Sequence, residues 1–405
     1  MNDTLGVGRR IREVRSCRGL SLRVTSDLSG ISYGWLGKIE RGEKPVNRQT
    51  LEALANTLKV APSEFTGEPD TPENDLATAT AAATLADVLS GWRIGEVPDA
   101  PGRPLPDILA DLAAFHADRN NPTSDPQSKG AGDYPTQVDR LVPLIRDLLV
   151  AATDPVVGRE ALAPLITAYH VAGSISSRLR LAGMPSLAVD RMDEAAQKLD
   201  DPVWQGVADW GRAHFLSATN RPRQQELAIK AADTAPPERM ETRGMAHLTA
   251  ALAAAAQGNR DDADSHLSEA SDIADHLGHD LSPWPAGVMQ FGKTNVAIFK
   301  VSIGTEMGLG GKVAEFASQV RPETISRGRQ ASFYADLGRG LLAERKTRDQ
   351  GIRAIARAQE LAPQQIRKNV FARDAIRSLL TTARRDAGGR DLRYVAWKMG
   401  ITPAG

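Results

Sequence analysis

The sequence predicts an all-α protein: a short five-helix module followed by a solenoid of paired helices. Three observations carry that reading. Apolar residues recur at helical spacing through nearly all of the chain. The stretch from about 138 to 400 is alanine-rich and almost free of strand-type alternation. Within it, breaks followed by charged helix starts recur at intervals of about 40 residues, the period of repeated helix pairs. At 405 residues the chain exceeds one ordinary core, so two or more domains are expected.

The N-terminal helices follow from their punctuation. Leu5, Ile11 and Val14 form the stripe of the first, which ends at Gly19. Ser21 caps the second, which stops at Gly30; Ser32 caps the third, and Gly42 follows its end. Leu51, Leu54, Ala55 and Leu58 mark the fourth, and Pro62 opens a last turn. These elements set a domain over 1–65. "TGEPDTPEND" (66–75) is acidic, proline-bearing and aperiodic, hence a linker, and a helical body fills 76–405. "VPDAPGRPLP" (97–106) and "RNNPTSDPQSKGAGDYPTQ" (119–137) are polar breaks inside that body.

In the body, the breaks are "NRPRQQELAIKAA" (from 220), "GNRDDADSHLSEA" (258), "GLGGKVAEFA" (308), "RKTRDQGIRAIARA" (345) and "AGGRDLRYVA" (387). A helix pair repeated in this way buries its apolar face only on its neighbours, which is the logic of a solenoid.

Charge and cysteine content narrow the function. Lys plus Arg equals Asp plus Glu, 50 each, which excludes a globally basic nucleic-acid coat. The balance is uneven, however. Residues 1–65 hold 11 basic against 7 acidic side chains, leaving 39 against 43 for the rest. A basic module on a slightly acidic body suits electrostatic attraction to a polyanion. The single cysteine, Cys17, offers no internal disulfide and no thiolate metal set. No apolar run is long enough for a membrane span, and a cytoplasmic protein is expected.

Residues 22–41, "LRVTSDLSGISYGWLGKIER", carry a tighter pattern. Ser26 lets two helices cross closely, Gly30 permits a left-handed turn, and Ile31, Leu36 and Ile39 anchor the second helix. Over roughly residues 6–65, "GRRIREVRSCRGLSL", "SGISYGWLGKIERGEKP" and "TLEALANTLKVAPSEF" resemble the lambda-repressor-like, Xre-type helix-turn-helix family. Ser32, Trp35, Leu36, Ile39, Glu40, Arg41 and Gly42 match its pattern, whereas Thr25 and Gly37 replace the usual leucine and serine. The resemblance implies a five-helix lambda-repressor-like domain that binds a double-stranded DNA operator as a homodimer. Tyr33, Gly34 and Lys38 then face base edges, while Arg23, Ser32, Arg41, Lys44 and Arg48 meet the backbone. Two glycines in so short a helix are costly; at 34, and at 37, they would let the helix backbone approach DNA.

The body resembles the tetratricopeptide-type sensor halves of bacterial regulators, including signalling-peptide receptors of the RRNPP group. That likeness implies a concave groove for a peptide or small-molecule effector and a dimerising surface. "FGKTNVAIFKVSIGTEMGL" (291–309) is its most distinctive stretch. Asn295 either clamps an extended peptide backbone or bridges neighbouring helices. Phe291 and Tyr334 would form an aromatic wall, with His247 and Arg339 contributing.

"GLGGKV" (308–313) fails as a phosphate loop, because Glu306 and Val313 stand where glycine and a hydroxyl are required. The histidines and aspartates at 272–280 read as solvated surface, and no nucleophile constellation is present. Neither enzyme activity, nor a cofactor, nor a metal is therefore expected. The alternative reading is an interaction protein whose solenoid binds another protein while its helix-turn-helix localises it on DNA.

Overall fold

The computed structural model describes residues 4–58, 60, 65, 73–99, 102–121, 133–216, 220–382 and 390–401. Among them every regular element is helical. Contacts divide the chain into one unit of residues 74–369 and another that groups 1–73 with 370–405.

The first unit begins with α1 (Thr4–Cys17), α2 (Leu22–Ser29), α3 (Tyr33–Glu40) and α4 (Arg48–Leu58). Ser21 caps α2 by accepting the amide of Val24, and Gly30 closes it with φ +70°. Gly42, at φ +73°, ends α3. Its amide reaches the Ile39 carbonyl and that of Glu43 reaches Lys38, so two orphan carbonyls are satisfied. Ile11, Leu36, Ile39, Leu54, Ala55, Leu58, Val60 and Phe65 form one buried core. The turn expected around Pro62 falls outside the described residues except for Phe65, which is fully buried. Residues 66–72 of the expected linker also lie outside them, and helix has begun by Glu73. In the same unit, α19 (Val370–Thr382) packs on α20 (Arg390–Lys398).

The second unit runs α5 (Glu73–Gly91), α6 (Leu105–Asn120), α7 (Tyr134–Ala151), α8 (Gly158–Arg178), α9 (Met184–Leu199), α10 (Pro202–Phe215), α11 (Arg221–Thr234), α12 (Met240–Ala256), α13 (Arg260–Leu277), α14 (Lys293–Glu306), α15 (Val313–Ala317), α16 (Arg327–Leu342), α17 (Arg348–Leu361) and α18 (Pro363–Lys368). From α8 onward, each helix packs on the next. The alternate members α8, α10, α12, α14, α16 and α18 also pack on one another in sequence. They make a continuous inner row, backed by α9, α11, α13, α15 and α17.

Each sequence break falls immediately before a helix, and two carry visible caps. The Asn220 side chain accepts the amide of Arg223, and that of Asn259 the amide of Asp262. Close packing around the row uses missing side chains. A Cβ on Gly244 of α12 would sit 2.1 Å from the Phe291 ring, and one on Gly338 of α16 would meet Ile355 of α17 at 2.5 Å. Within the distinctive stretch 291–309, the helix occupies Lys293–Glu306. Among the described residues, no helix is long and apolar enough to cross a membrane.

Candidate functional site

The turn between α2 and α3 is built from few atoms. The Ser26 hydroxyl donates to the Ile31 carbonyl at 2.6 Å, which ties α2 to the strand-like entry of α3. Thr25 is fully buried where a leucine was expected, and its hydroxyl donates to the Ser21 carbonyl at 3.1 Å. The unusual residue therefore leaves no unsatisfied hydroxyl. At α1, Gly8 lets the backbone of α3 come close: a Cβ there would lie 2.0 Å from the Ile39 carbonyl oxygen.

A buried ion pair fixes the angle between α1 and α3. The Arg15 guanidinium donates to both Glu40 carboxylate oxygens, at 2.6 and 2.9 Å, and to the Leu20 carbonyl at 2.8 Å. The Glu40 hydrogen bonds push the Arg15 pKa above its usual value. Sequence matching marked Glu40 only as part of a pattern; its partner, one helix away, gives the physical reason for it.

Leu36, Gly37, Ile39 and Glu40 are buried, so α3 presents Tyr33, Gly34, Trp35 and Lys38 outward. Tyr33 is 54% and Trp35 44% exposed, with Val24 and Leu28 of α2 also exposed beside the turn. A Cβ on Gly34 would meet nothing within 4 Å, as expected at an outward position. Gly37 is different. It is buried, and a Cβ there would meet Arg41 at 3.3 Å and Leu22 at 3.5 Å. Gly37 faces the Leu22 and Arg41 side chains and not the outward surface, so the expectation that it brings backbone toward DNA is corrected.

The expected backbone contacts differ in readiness. Arg23 is exposed. Lys44 is exposed as well, with its ammonium 5.8 Å from the Trp35 ring centroid. Arg41 is exposed but held bidentately by Glu43, whose carboxylate that bond pulls below its ordinary pKa. Ser32 occupies the N-cap position of α3 but makes no capping hydrogen bond, because its side chain does not reach the orphan amides. The expected cap is thus absent. The side chain of Arg48 lies outside the described residues.

Residues 7–66 match a family described as a helix-turn-helix domain. The N-terminal segment is a helix-turn-helix domain. The HTH-type transcriptional regulator PuuR of Escherichia coli (strain K12) is 32% identical over 72 residues, which is 18% of this chain and 39% of that protein. The PuuR protein of Shigella flexneri matches to the same extent. The chain thus spans well under half the length of these curated relatives. Among solved structures, Bacillus thuringiensis PlcR in complex with the peptide PapR7 and DNA aligns over 68% of this chain and 96% of its own, at 11% identity and TM-score 0.24. The apo form of ComR from S. thermophilus aligns over 86% and 97%, at 11% identity and TM-score 0.26.

In the helical unit, Phe291 and Asn295, both expected to meet an effector, pack on adjacent residues of α12. Asn295 and Phe291 are 0% exposed. The Asn295 amide lies 3.0 Å from the Met245 sulfur, and Phe291 packs on Gly244. The His247 ring contacts that of His266, with Nδ1 atoms 3.1 Å apart. Arg339 is held by Glu306 at 3.1 Å and Asp336 at 3.3 Å. Tyr334 is half-buried, edge-on to Phe333.

An open cavity of about 510 Å³ lies instead along the inner row. Its wall includes Arg178, Leu181, His214, Phe215, Leu252 and Phe299. Behind it, His170 stacks on Trp210 at 5.3 Å and Trp210 on His214 at 4.8 Å. Burial and nearby arginines push the His214 pKa down to about 4, so the ring is neutral.

Proposed function

We propose that the protein is a sequence-specific DNA-binding transcription regulator. It acts as a homodimer on an inverted-repeat operator, with DNA affinity set by a peptide or small molecule held in the groove of its helical unit. The outward face of α3 carries this reading. Tyr33, Gly34 and Lys38 share that exposed face beside a serine-closed turn, where a recognition helix presents base-reading side chains. Lys38 suits guanine O6 and N7, and Tyr33 suits a base edge or a thymine methyl. Arg23 and Lys44 flank them as phosphate partners that set register. The cavity along the inner row, of a size typical of small-ligand sites, supports the effector reading.

Selection of the full chain on a random duplex library tests the reading. It should enrich a two-fold symmetric sequence with half-sites one helical turn apart, roughly 34–36 Å. Sedimentation of the complex should give two chains per duplex. A library that returns no preferred sequence would overturn the proposal, and a single chain on a single half-site would overturn its dimeric part.

A further inference from the structure

We propose that the arginine cluster at the edge of the inner-row cavity is an acid-recognition site, in which Arg178, on the cavity wall, and its neighbours Arg119 and Arg329 clamp a multivalent carboxylate or phosphate group of a small effector. The inference rests on the effector reading above and names the chemical class of that effector.

The three arginines come from separate helices, α6, α8 and α16. Arg119 donates to the Ser174 hydroxyl at 3.0 Å. Ser174 lies one helical turn before Arg178 on α8, so both guanidiniums meet one face of that helix. Arg178 donates to the Gln365 amide oxygen at 3.1 Å, with the Tyr134 hydroxyl at 3.5 Å. Tyr134 and Gln365 are themselves joined at 2.6 Å, and Gln365 donates to Ser332 at 2.8 Å, which locks the cradle. A Cβ on Gly328 would fall 2.4 Å from the Arg178 guanidinium, so that group lies against the first turn of α16. Arg329 is the next residue on that turn and donates to the Met289 carbonyl at 3.2 Å.

Every one of these acceptors is neutral. Among the described residues, no carboxylate pairs with Arg119, Arg178 or Arg329, although each is at least half-buried. Elsewhere on the inner row the fold does pair its arginine: Arg339 has both Glu306 and Asp336. Three like charges in a partly desolvated space repel one another, and proteins ordinarily compensate such groups with an anion. The five donors of each guanidinium are also far from used.

A second observation points the same way. The first turn of α16 contains Arg327 and Arg329 and no acidic residue. Cations are disfavoured there, where the helix dipole attracts negative charge. An anion seated between that turn and the arginines resolves both conflicts. Burial, then Arg178 and Arg119, pull Arg329 down to about 9, and burial, then Arg178, pulls Arg119 down to about 10.

The cavity continues from Arg178 to Phe215, Leu181, Leu252 and Phe299. The ligand class is therefore an acid head with an apolar body. Pyrophosphate and citrate are suitable probes of the head alone, and they separate phosphate from carboxylate recognition.

Calorimetric titration of the full chain, without DNA, should show saturable one-site binding of at least one probe. Arg178→Gln and Arg329→Gln should each weaken it about tenfold or more, the value of one charge-assisted hydrogen bond. Both variants should melt at or above the wild-type temperature, because repulsion is relieved. A measurement on wild type alone guards against a misfolded variant. Phenylglyoxal labelling of Arg178 and Arg329, read by mass spectrometry, should be suppressed by the bound probe. Absence of saturable binding by both probes, unchanged affinity in Arg178→Gln, or unprotected labelling at probe saturation would each overturn the proposal. DNA is absent from all three measurements, so a chain that binds the anion but no operator would sink the regulator reading and leave this one standing.

Discussion

Gly34→Ala separates what a helix needs from what an interface needs. Within the protein the added methyl meets nothing within 4 Å, so its intrinsic effect is the glycine-to-alanine helix gain of about 0.5–1 kcal/mol. On DNA, the same methyl stands where α3 approaches base edges. Relieving the overlap lifts the helix and sacrifices about one base contact, roughly 1–3 kcal/mol, or about fivefold to 150-fold in affinity. Gly37→Ala is the internal control, because its Cβ would meet Arg41 and Leu22 and not open space. It should shift the Arg41 guanidinium and leave base preference unchanged. The assay is fluorescence anisotropy on the selected operator, paired with hydrogen exchange over α2 and α3 in the full chain. A Gly34→Ala protein that is more protected and still binds as wild type would refute the close approach. Equal loss in Gly37→Ala would refute the assignment of faces.

Other substitutions test other parts of the molecule. Glu40→Gln strands Arg15 in a nearly buried position and should destabilise the α1–α3 contact by about 3 kcal/mol, seen as faster exchange in both helices; unchanged protection would show that the pair contributes little. Lys38→Ala should relax preference at one base position, whereas Glu43→Gln, which frees Arg41, should strengthen binding to all sequences and steepen its salt dependence. Loss of affinity in Glu43→Gln would show that Glu43 positions Arg41 for DNA. His116 is buried and neutral, with burial and then Arg119 pulling its pKa from 6.5 to about 4. The unfolded chain takes up this proton first, so its contribution is complete above pH 6.5 and is lost as pH falls toward 4, about 3 kcal/mol in all. His116→Gln should flatten the stability–pH profile by nearly one proton in that window, and an unaltered slope would show the ring already charged in the fold.

The sequence by itself determined the parts whose physics is local. Ser21, Ser26, Gly30 and Gly42 dictate caps and turns within a few residues, and Ile31, Leu36 and Ile39 follow the helical period. The helix-turn-helix and the outward placement of Tyr33, Gly34 and Lys38 were legible for that reason. The break-and-restart rhythm of the second unit was legible too, since Asn220 and Asn259 each cap the helix that follows.

Tertiary structure alone decided which polar residues meet. The sequence left Asn295 open between a peptide clamp and a bridge between helices, and its burial on Met245 follows from how α14 packs on α12. Arg339 is held by Glu306, from a neighbouring helix of the inner row, a pairing that no local pattern shows. Of Arg119, Arg178 and Arg329, only Arg329 left a local trace, a cation in the first turn of α16, where an anion is favoured. Their convergence depends on how α6, α8 and α16 pack, and helical period fixes only the face a residue occupies on its own helix. Which charge stands across the gap, and whether it is an arginine or a glutamate, is set by contacts between residues far apart in the chain.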